Sequence, residues 1–342
     1  MEQRGETIAL SVAPMMDRTD RHYRVMMRAI TRRTLLYTEM IPMTALLRGD
    51  QEHLIGFDEI ERPLSLQLGG SDPAGLAACA IIAEKRGYDE VNINVGCPSD
   101  RVQSGRFGAC LMREPELVAA CVSEMRAAVD IPITVKHRIG VDDLDRYEDM
   151  AHFVEVVAAA GADRFTVHAR KAWLKGLSPK QNRNVPPLRY DDVFRLKADF
   201  PHLPIELNGH VRSLDEARAH LGRVDAVMLG RAAWDEPFLF AEADAMLGDT
   251  EARPTSRAAV VALMEERMRR AVAAGAPQSP YLRPMLNLFA GVPGARRWKQ
   301  TISQRGYGRN ATPDVLTEAL AAVEAVKTHS AHRLDSGEAA LH

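Results

Sequence analysis

The sequence is poor in the features that mark several whole classes of protein. Its four cysteines (Cys79, Cys97, Cys110 and Cys121) form no disulfide framework and no metal-ligand spacing, so a stapled secreted domain is not expected and a reducing cytoplasm is. No apolar run approaches the ~20 residues of a membrane span. The opening MEQRGETIALSVAP lacks a basic segment followed by a long apolar one, so neither a signal peptide nor a membrane partner is expected. No GxGxxG follows the first β-rich run, which counts against a doubly wound dinucleotide-binding sheet. There is no large charge excess either, with a net of −2 over 342 residues. That balance hides an asymmetry. Between Arg253 and Asn310 eleven basic residues face only Glu265 and Glu266, a net of +9, so the remainder carries −11. A basic module on an acidic body suits a polyanionic partner, and a solvated arginine-rich helical face is the plainer reading.

What is present is a repeat. Apolar β-rich runs occur at 8–16, 35–42, 64–69, 90–95, 131–138, 164–169, 204–208 and 226–229, and helical stretches follow most of them. Asp72-Pro73 opens one helix and Pro115 another, with Gly87 past the end of the first. Eight such units in about 240 residues predict an α/β fold, a (β/α)8 barrel. After Asp249 the alternation stops. The stretch 254–273 reads as an amphipathic helix with Val261, Met264 and Met268 on one face, and further helices are expected at 281–289, 294–303 and 313–328. The expected division is a barrel over 1–249, a small all-helical domain over 250–330 and a flexible tail over 331–342.

Barrel enzymes place their chemistry at the carboxyl ends of the strands. Those ends carry Met15, Gln67, Asn94 with Cys97, Lys136 with Arg138, His168 with Arg170, Asn208-Gly209 and Gly230-Arg231. Polar residues at the same phase of so many repeats point to one site. Asn208-Gly209 and Gly230-Arg231 suit a phosphate, although the glycines also serve as simple turns. Lys136 sits on the apolar run ITVKHRIG and needs an electron-rich partner, for which a flavin edge, a Schiff-base substrate and an internal salt bridge all qualify. Cys79 and Cys121 lie in helical apolar patterns and read as packing, whereas Cys97 follows Asn94-Val95-Gly96 at the mouth of the fourth strand. A thiol with pKa ~8.5 is mostly protonated at neutral pH and so can act as a general acid.

The segments APMMDRTDRHYR, QLGG, NINVGCPSDRVQSGRFGACLM, VKHRIG, VHARKAWLKGLSPK and PPLRYDDVFRLK resemble the tRNA-dihydrouridine synthases, and more narrowly their bacterial A type. The likeness runs from about Ile8 to Phe289 and resumes through GVPGARRWKQ. It implies an FMN-binding barrel followed by a helical tRNA-binding domain. It also implies that Pro14, Met15, Met16, Gln67, Lys136 and His168 contact FMN, that Asn208, Gly209, His210, Gly230 and Arg231 hold its phosphate end, and that Cys97 is the proton donor. Asn94, Lys180, Arg183, Arg296 and Lys299 match positions that touch tRNA, and no protein partner is implied. The implied reaction is NADPH-driven reduction of D-loop uridines at 20 and 20a, with hydride from the flavin to C6, a proton from Cys97 to C5, and Lys136 and Arg138 favouring the developing negative charge. Three positions depart from the pattern: Arg18 where Trp is frequent, His210 where a second Gly is common, and Pro284 where His is more usual. A flavin barrel acting on another uridine or a free pyrimidine, an aldolase using Lys136, and a non-catalytic tRNA-binding protein are the competing readings.

Overall fold

A computed structural model of the chain describes residues 9–251, 255–308 and 311–335, so Ile8, Arg253, Pro254, Arg309, Asn310 and residues 336–342 of the expected tail lie outside the described residues. Nine parallel strands form the core: β1 (Leu10–Val12), β2 (Leu36–Tyr37), β3 (Ile41–Pro42), β4 (Leu64–Gly69), β5 (Glu90–Val95), β6 (Ile133–Arg138), β7 (Arg164–His168), β8 (Ile205–Asn208) and β9 (Ala226–Leu229). Their order is β1-β9-β8-β7-β6-β5-β4-β2, with β3 pairing the end of β4. Backbone bonds from Val12 N to Leu35 O (2.9 Å) and from Leu35 N to Leu10 O (3.0 Å) bring β1 against the start of the second strand unit, so the sheet nearly closes as an eight-membered barrel. The run 35–42 thus supplies two short strands, β2 and β3, for one barrel position.

The helices begin where the punctuation places them. The Asp72 side chain accepts a bond from Gly75 N at 2.8 Å ahead of Pro73–Lys85, and Pro115 is the first residue of Pro115–Ala128. Among the described residues no helix is long and apolar enough to cross a membrane.

The chain divides into two compact units. One gathers the described residues of 1–21 and 33–231, the other those of 22–32 and 232–342. In the second unit Tyr23 OH donates to Ala233 O at 2.9 Å, and Asp244 accepts from Thr31 Oγ1 (2.6 Å) and Arg32 N (2.7 Å). The helix Arg257–Ala273 buries Val261, Met264 and Met268, the expected face. Ser279–Met285 accommodates Pro284 and ends before the expected Phe289, with turns over 286–290. Ala295–Arg305 and Val315–Asp335 complete the unit. Part of the basic charge is paired locally: Arg269 with Glu265 and Asp314, Arg270 with Glu266, and Arg305 with Glu318.

The barrel interior is more polar than the branched aliphatic layers usual for this architecture. Side chains two apart on a strand share a face, and here that face carries Glu90, Asn92 and Asn94 on β5, Thr134, Lys136 and Arg138 on β6, and Arg164, Thr166 and His168 on β7. At the amino ends of the strands, Arg164 Nη2 donates to Glu90 Oε2 at 2.7 Å and to Tyr37 OH at 3.0 Å. Glu206 accepts from Ser11 Oγ at 2.6 Å and from Thr166 Oγ1, and lies 3.9 Å from Arg164 Nε. Burial pulls the Arg164 pKa down, but Glu90, Tyr37 and Glu206 together more than reverse this, so the guanidinium stays charged. One cation therefore holds two buried carboxylates. Arg164→Met leaves both without it and should destabilise the protein by about 3–5 kcal/mol, seen as a lower urea midpoint; an unchanged midpoint would show that the carboxylates are protonated or hydrated instead.

Candidate functional site

Above that charged floor, hydrogen bonds climb toward the carboxyl ends of the strands. Thr134 Oγ1 donates to Glu90 (3.2 Å), Asn92 Nδ2 to Thr134 Oγ1 (2.9 Å), Gln67 Nε2 to Asn92 Oδ1 (2.8 Å) and Asn94 Nδ2 to Gln67 Oε1 (2.9 Å). The ladder ends on the backbone of the cysteine loop, where Asn94 Oδ1 accepts both Gly96 N (3.0 Å) and Cys97 N (2.9 Å). Cys97 is partly exposed, and its thiol donates to Ser99 Oγ at 3.5 Å. Its carbonyl accepts from Ala109 N at 2.9 Å and would stand 2.5 Å from a Cβ at residue 108, where φ is +80°. Gly108 is thus required twice over, for conformation and for space. Cys79 and Cys121 are buried in helices, with thiols pushed up to about 12, chiefly by burial, so they are inert packing.

Arg138 is buried and braces two loops. Its Nε donates to Gly96 O (2.8 Å), and Nη1 donates to Lys171 O and Asn182 O (both 3.1 Å). It therefore ties the residue before Cys97 to the segment after β7, and only Nη2 lacks a partner among the described residues. Burial, with Arg183 and Arg170 nearby, lowers its pKa to about 10, which still leaves it charged at neutral pH. Lys136 Nζ donates to Asn208 Oδ1 at 3.2 Å, and Asn208 Nδ2 donates in turn to Met228 O at 2.8 Å. Burial first and Arg138 second pull Lys136 down to about 8, against the opposing pull of Glu206 and Cys97. His168 is driven well below its usual range by burial, then by Arg138, Lys136, Arg170 and Arg183, and is a neutral imidazole.

The remaining side of the mouth is formed by the ends of β8 and β9. Gly209 has φ +132° and His210 φ +61°, so His210 takes the left-handed conformation that a glycine would adopt freely. Tyr190 OH donates to Gly209 O, and Arg231 Nη1 to Asn184 Oδ1 at 2.8 Å. Arg170 spends Nη1 on Asn184 O and Pro186 O, while its buried Nε has no partner among the described residues. Lys136, Arg138, Arg170, Arg183 and Arg231 each lower the pKa of at least one neighbour in this cluster, and none forms an ion pair with a carboxylate among the described residues. A cluster of mutually repelling cations at the mouth of one barrel calls for an anion.

Pro14, Met15 and Met16 form a turn after β1, held by Thr19 and Arg18 N–H groups donating to Met15 O (3.0 and 3.1 Å). Lys180 and Arg183 are exposed in the loop after β7. Gln67, Asn94, Cys97, Lys136, Arg138, His168 and Asn208 are linked through the strands and bonds above, with Gly209, His210, Gly230 and Arg231 on the adjoining strand ends. Arg296 and Lys299 lie one turn apart on the exposed face of Ala295–Arg305, in the second unit. Arg170 was visible from sequence at the end of VHAR, and the fold adds Asn92 and the fully buried Asn182. Nothing local marks Asn182, since its neighbours are the polar residues of a surface loop.

Residues 11–325 match the family model described as dihydrouridine synthase (Dus). The tRNA-dihydrouridine(20/20a) synthase of Synechocystis is 55% identical over 92% of this chain and 94% of its own length. The proteins of that name from Vibrio parahaemolyticus and Escherichia coli K12 are each 51% identical, over 92% and 91% of this chain and 96% and 90% of their own lengths. Among solved structures, a 2-naphthoyl-CoA reductase in complex with 2-naphthoyl-CoA shares the fold, with a TM-score of 0.53 at 12% identity over 69% of this chain and 50% of that one.

The lowered pKa of Lys136 carries a stability consequence. The unfolded chain binds this proton up to 10.5 and the folded cofactor-free chain only up to about 8, so burying the ammonium costs stability below about pH 8 and the cost fades as pH rises toward 10.5. Lys136→Met should thus stabilise the cofactor-free protein by roughly 1–3 kcal/mol at pH 7, with a smaller gain at pH 9.5. Urea titrations at the two pH values check this, and an equal gain at both would assign the effect to packing.

Proposed function

The chain belongs to the dihydrouridine synthase family, and on that premise we propose that it reduces uridines 20 and 20a of the tRNA D-loop, with FMN as the carrier, NADPH as the reductant and Cys97 as the proton donor. The observation that carries the reading is the unpaired cation cluster arranged around a single partly exposed thiol whose backbone is pinned on both sides. Those residues fit FMN. Arg170 with its orphaned Nε, Arg231 and the left-handed backbone at Gly209 and His210 offer donors to a phosphate dianion, with Asn208 and Gly230 beside them. Lys136, costly to bury alone, is matched to an electron-rich ring edge, with neutral His168 and the second amide N–H of Gln67 as further donors. Pro14, Met15 and Met16 supply apolar surface at the same mouth.

When bound, reduced FMN supplies hydride to C6 of the uracil. Cys97 would supply the proton to C5, and the thiolate left behind would fall within the field of Lys136 and Arg138, both of which respond to charge on Cys97. The second N–H of Asn94 is free for a uracil carbonyl, and the ladder beneath it fixes where that N–H points. The target base must leave its stack, at a cost of a few kcal/mol. Phosphate contacts from Lys180 and Arg183, and from Arg296 and Lys299 in the helical domain (residues 250–330), offset that cost. An enzyme of this kind works in the cytoplasm, where its substrate is.

A site-resolved map of dihydrouridine in cells lacking the protein tests the assignment. Loss at 20 and 20a, restored by wild type and not by Cys97→Ala, is the expected result. Unchanged dihydrouridine at every position, with no redundant enzyme present, would return the barrel to a free pyrimidine substrate or to binding alone. Purified Cys97→Ala should keep its flavin and its reduction by NADPH. Neutralising Arg296 and Lys299 together should weaken tRNA binding and flatten the slope of log K against log salt by about 1–2, with flavin content unchanged; loss of flavin would place these residues at the cofactor.

A further inference from the structure

Trp173 is an anomaly of the barrel unit. It is a tryptophan with 40% of its surface exposed, in a loop at the catalytic end, and no step of the proposed reaction uses it. Among the described residues of this unit it is the one exposed large aromatic; the other exposed large apolar side chains are Met16, Leu47 and Val185. Exposure of a single large side chain is ordinary in itself; what sets Trp173 apart is how its backbone and one ring face are held.

The loop does not simply let it drift. The amide of Asn182, fully buried, grips the Trp173 backbone on both sides: Oδ1 accepts from Trp173 N at 2.8 Å and Nδ2 donates to Trp173 O at 2.9 Å. The same Nδ2 reaches Leu177 O at 3.2 Å, and the Asn182 carbonyl is one of those held by Arg138. Lys171 Nζ stands 4.2 Å from the ring centroid and is itself held by Asp145 and Asp142 O, so one face of the indole is backed by a fixed cation. With Lys171 against one face, the opposite face and the edge are the surfaces to which a partner ring would be offered. A rigid aromatic face, backed by a cation, is a platform built for a flat ring.

Its place relative to the acid is set by two independent bridges. Gln103 Nε2 donates to Pro98 O at 3.0 Å and to Leu174 O at 2.9 Å, joining the residue after Cys97 to the residue after Trp173. Arg138 joins Gly96, before Cys97, to Asn182, which holds Trp173. The platform and the thiol are thus parts of one bonded frame, flanked by the exposed cations Lys180 and Arg183.

Resting on the reading of tRNA as substrate, we infer that Trp173 is a stacking platform for a nucleobase next to the uridine that enters the barrel, holding the strand in its extruded form. Stacking is indifferent to base identity, since every base has a π-face. Such a contact stabilises the open loop without reading its sequence.

The test uses the flavin-loaded full chain, an unmodified tRNA transcript, and transcripts carrying one abasic nucleotide on either side of the reduced uridine. Trp173→Ala should weaken transcript binding about 5- to 150-fold, with flavin content and NADPH-driven flavin reduction unchanged, and Trp173→Phe should recover most of the loss. One of the two abasic transcripts should weaken binding to the wild type by a similar factor and lose nothing further with Trp173→Ala, the non-additivity expected of partners in contact. Full-strength binding by Trp173→Ala, or penalties that multiply at both abasic positions, would overturn the platform while leaving the synthase reading intact. Failure of the wild type to bind the transcript at all would overturn both.

Discussion

The site depends on one constraint: a polar group buried in the barrel must find a partner, and the partners form a single directed chain. From Asn94 through Gln67, Asn92 and Thr134 to Glu90, every link donates downward and ends on a carboxylate. That direction fixes each amide. Asn94 must point its nitrogen at Gln67, which leaves its oxygen for the Gly96 and Cys97 amides. Turning Asn94 or Gln67 over would place like groups against each other at its contacts, a cost of the order of 1–3 kcal/mol for each buried group left unsatisfied. The geometry of a loop at the barrel mouth is therefore decided by charge at the barrel floor.

The floor and the mouth also differ in sign. Glu90 and Glu206 share one arginine at the amino ends of the strands, while Arg138, Arg170, Arg183 and Arg231 gather at the carboxyl ends with no carboxylate partner among the described residues. Lys136 lies between the two, drawn toward its charged form by Glu206 and away from it by Arg138. Such an arrangement is poor for stability and good for binding. Arg138 and Arg170 are already buried among like charges, so an incoming anion relieves repulsion as well as gaining hydrogen bonds.

The strands and their polar ends were legible because a barrel repeats one rule eight times: alternate residues face inward, and chemistry gathers after the last inward position. Gln67, Asn94, Lys136, His168 and Asn208 announce themselves by phase alone. Boundaries were less legible. The run 35–42 reads as one strand yet breaks into two, and the helix that apolar spacing carries on to Phe289 ends at Met285. The helix Arg21–Ile30 follows a barrel strand in sequence, but its residues from His22 onward pack through Tyr23 and Thr31 onto the segment after 231, a pairing more than 200 residues distant that no local pattern encodes.

The least legible residues are those whose work is done through backbone. Arg138 looks in sequence like one more cation for the substrate, and in the fold most of its donors go to the carbonyls of Gly96, Lys171 and Asn182. Asn182 looks like a loop residue and is buried beyond solvent. Neither role has a sequence signature, because carbonyl oxygens are present at every position and only the fold decides which are left over. Loops that carry function on a rigid scaffold need such anchors, since surface segments with few apolar contacts otherwise open at little cost. Here the anchors are charged or amide side chains on a strand or within the loop itself, so the cysteine loop and the loop after β7 are tied into one bonded frame.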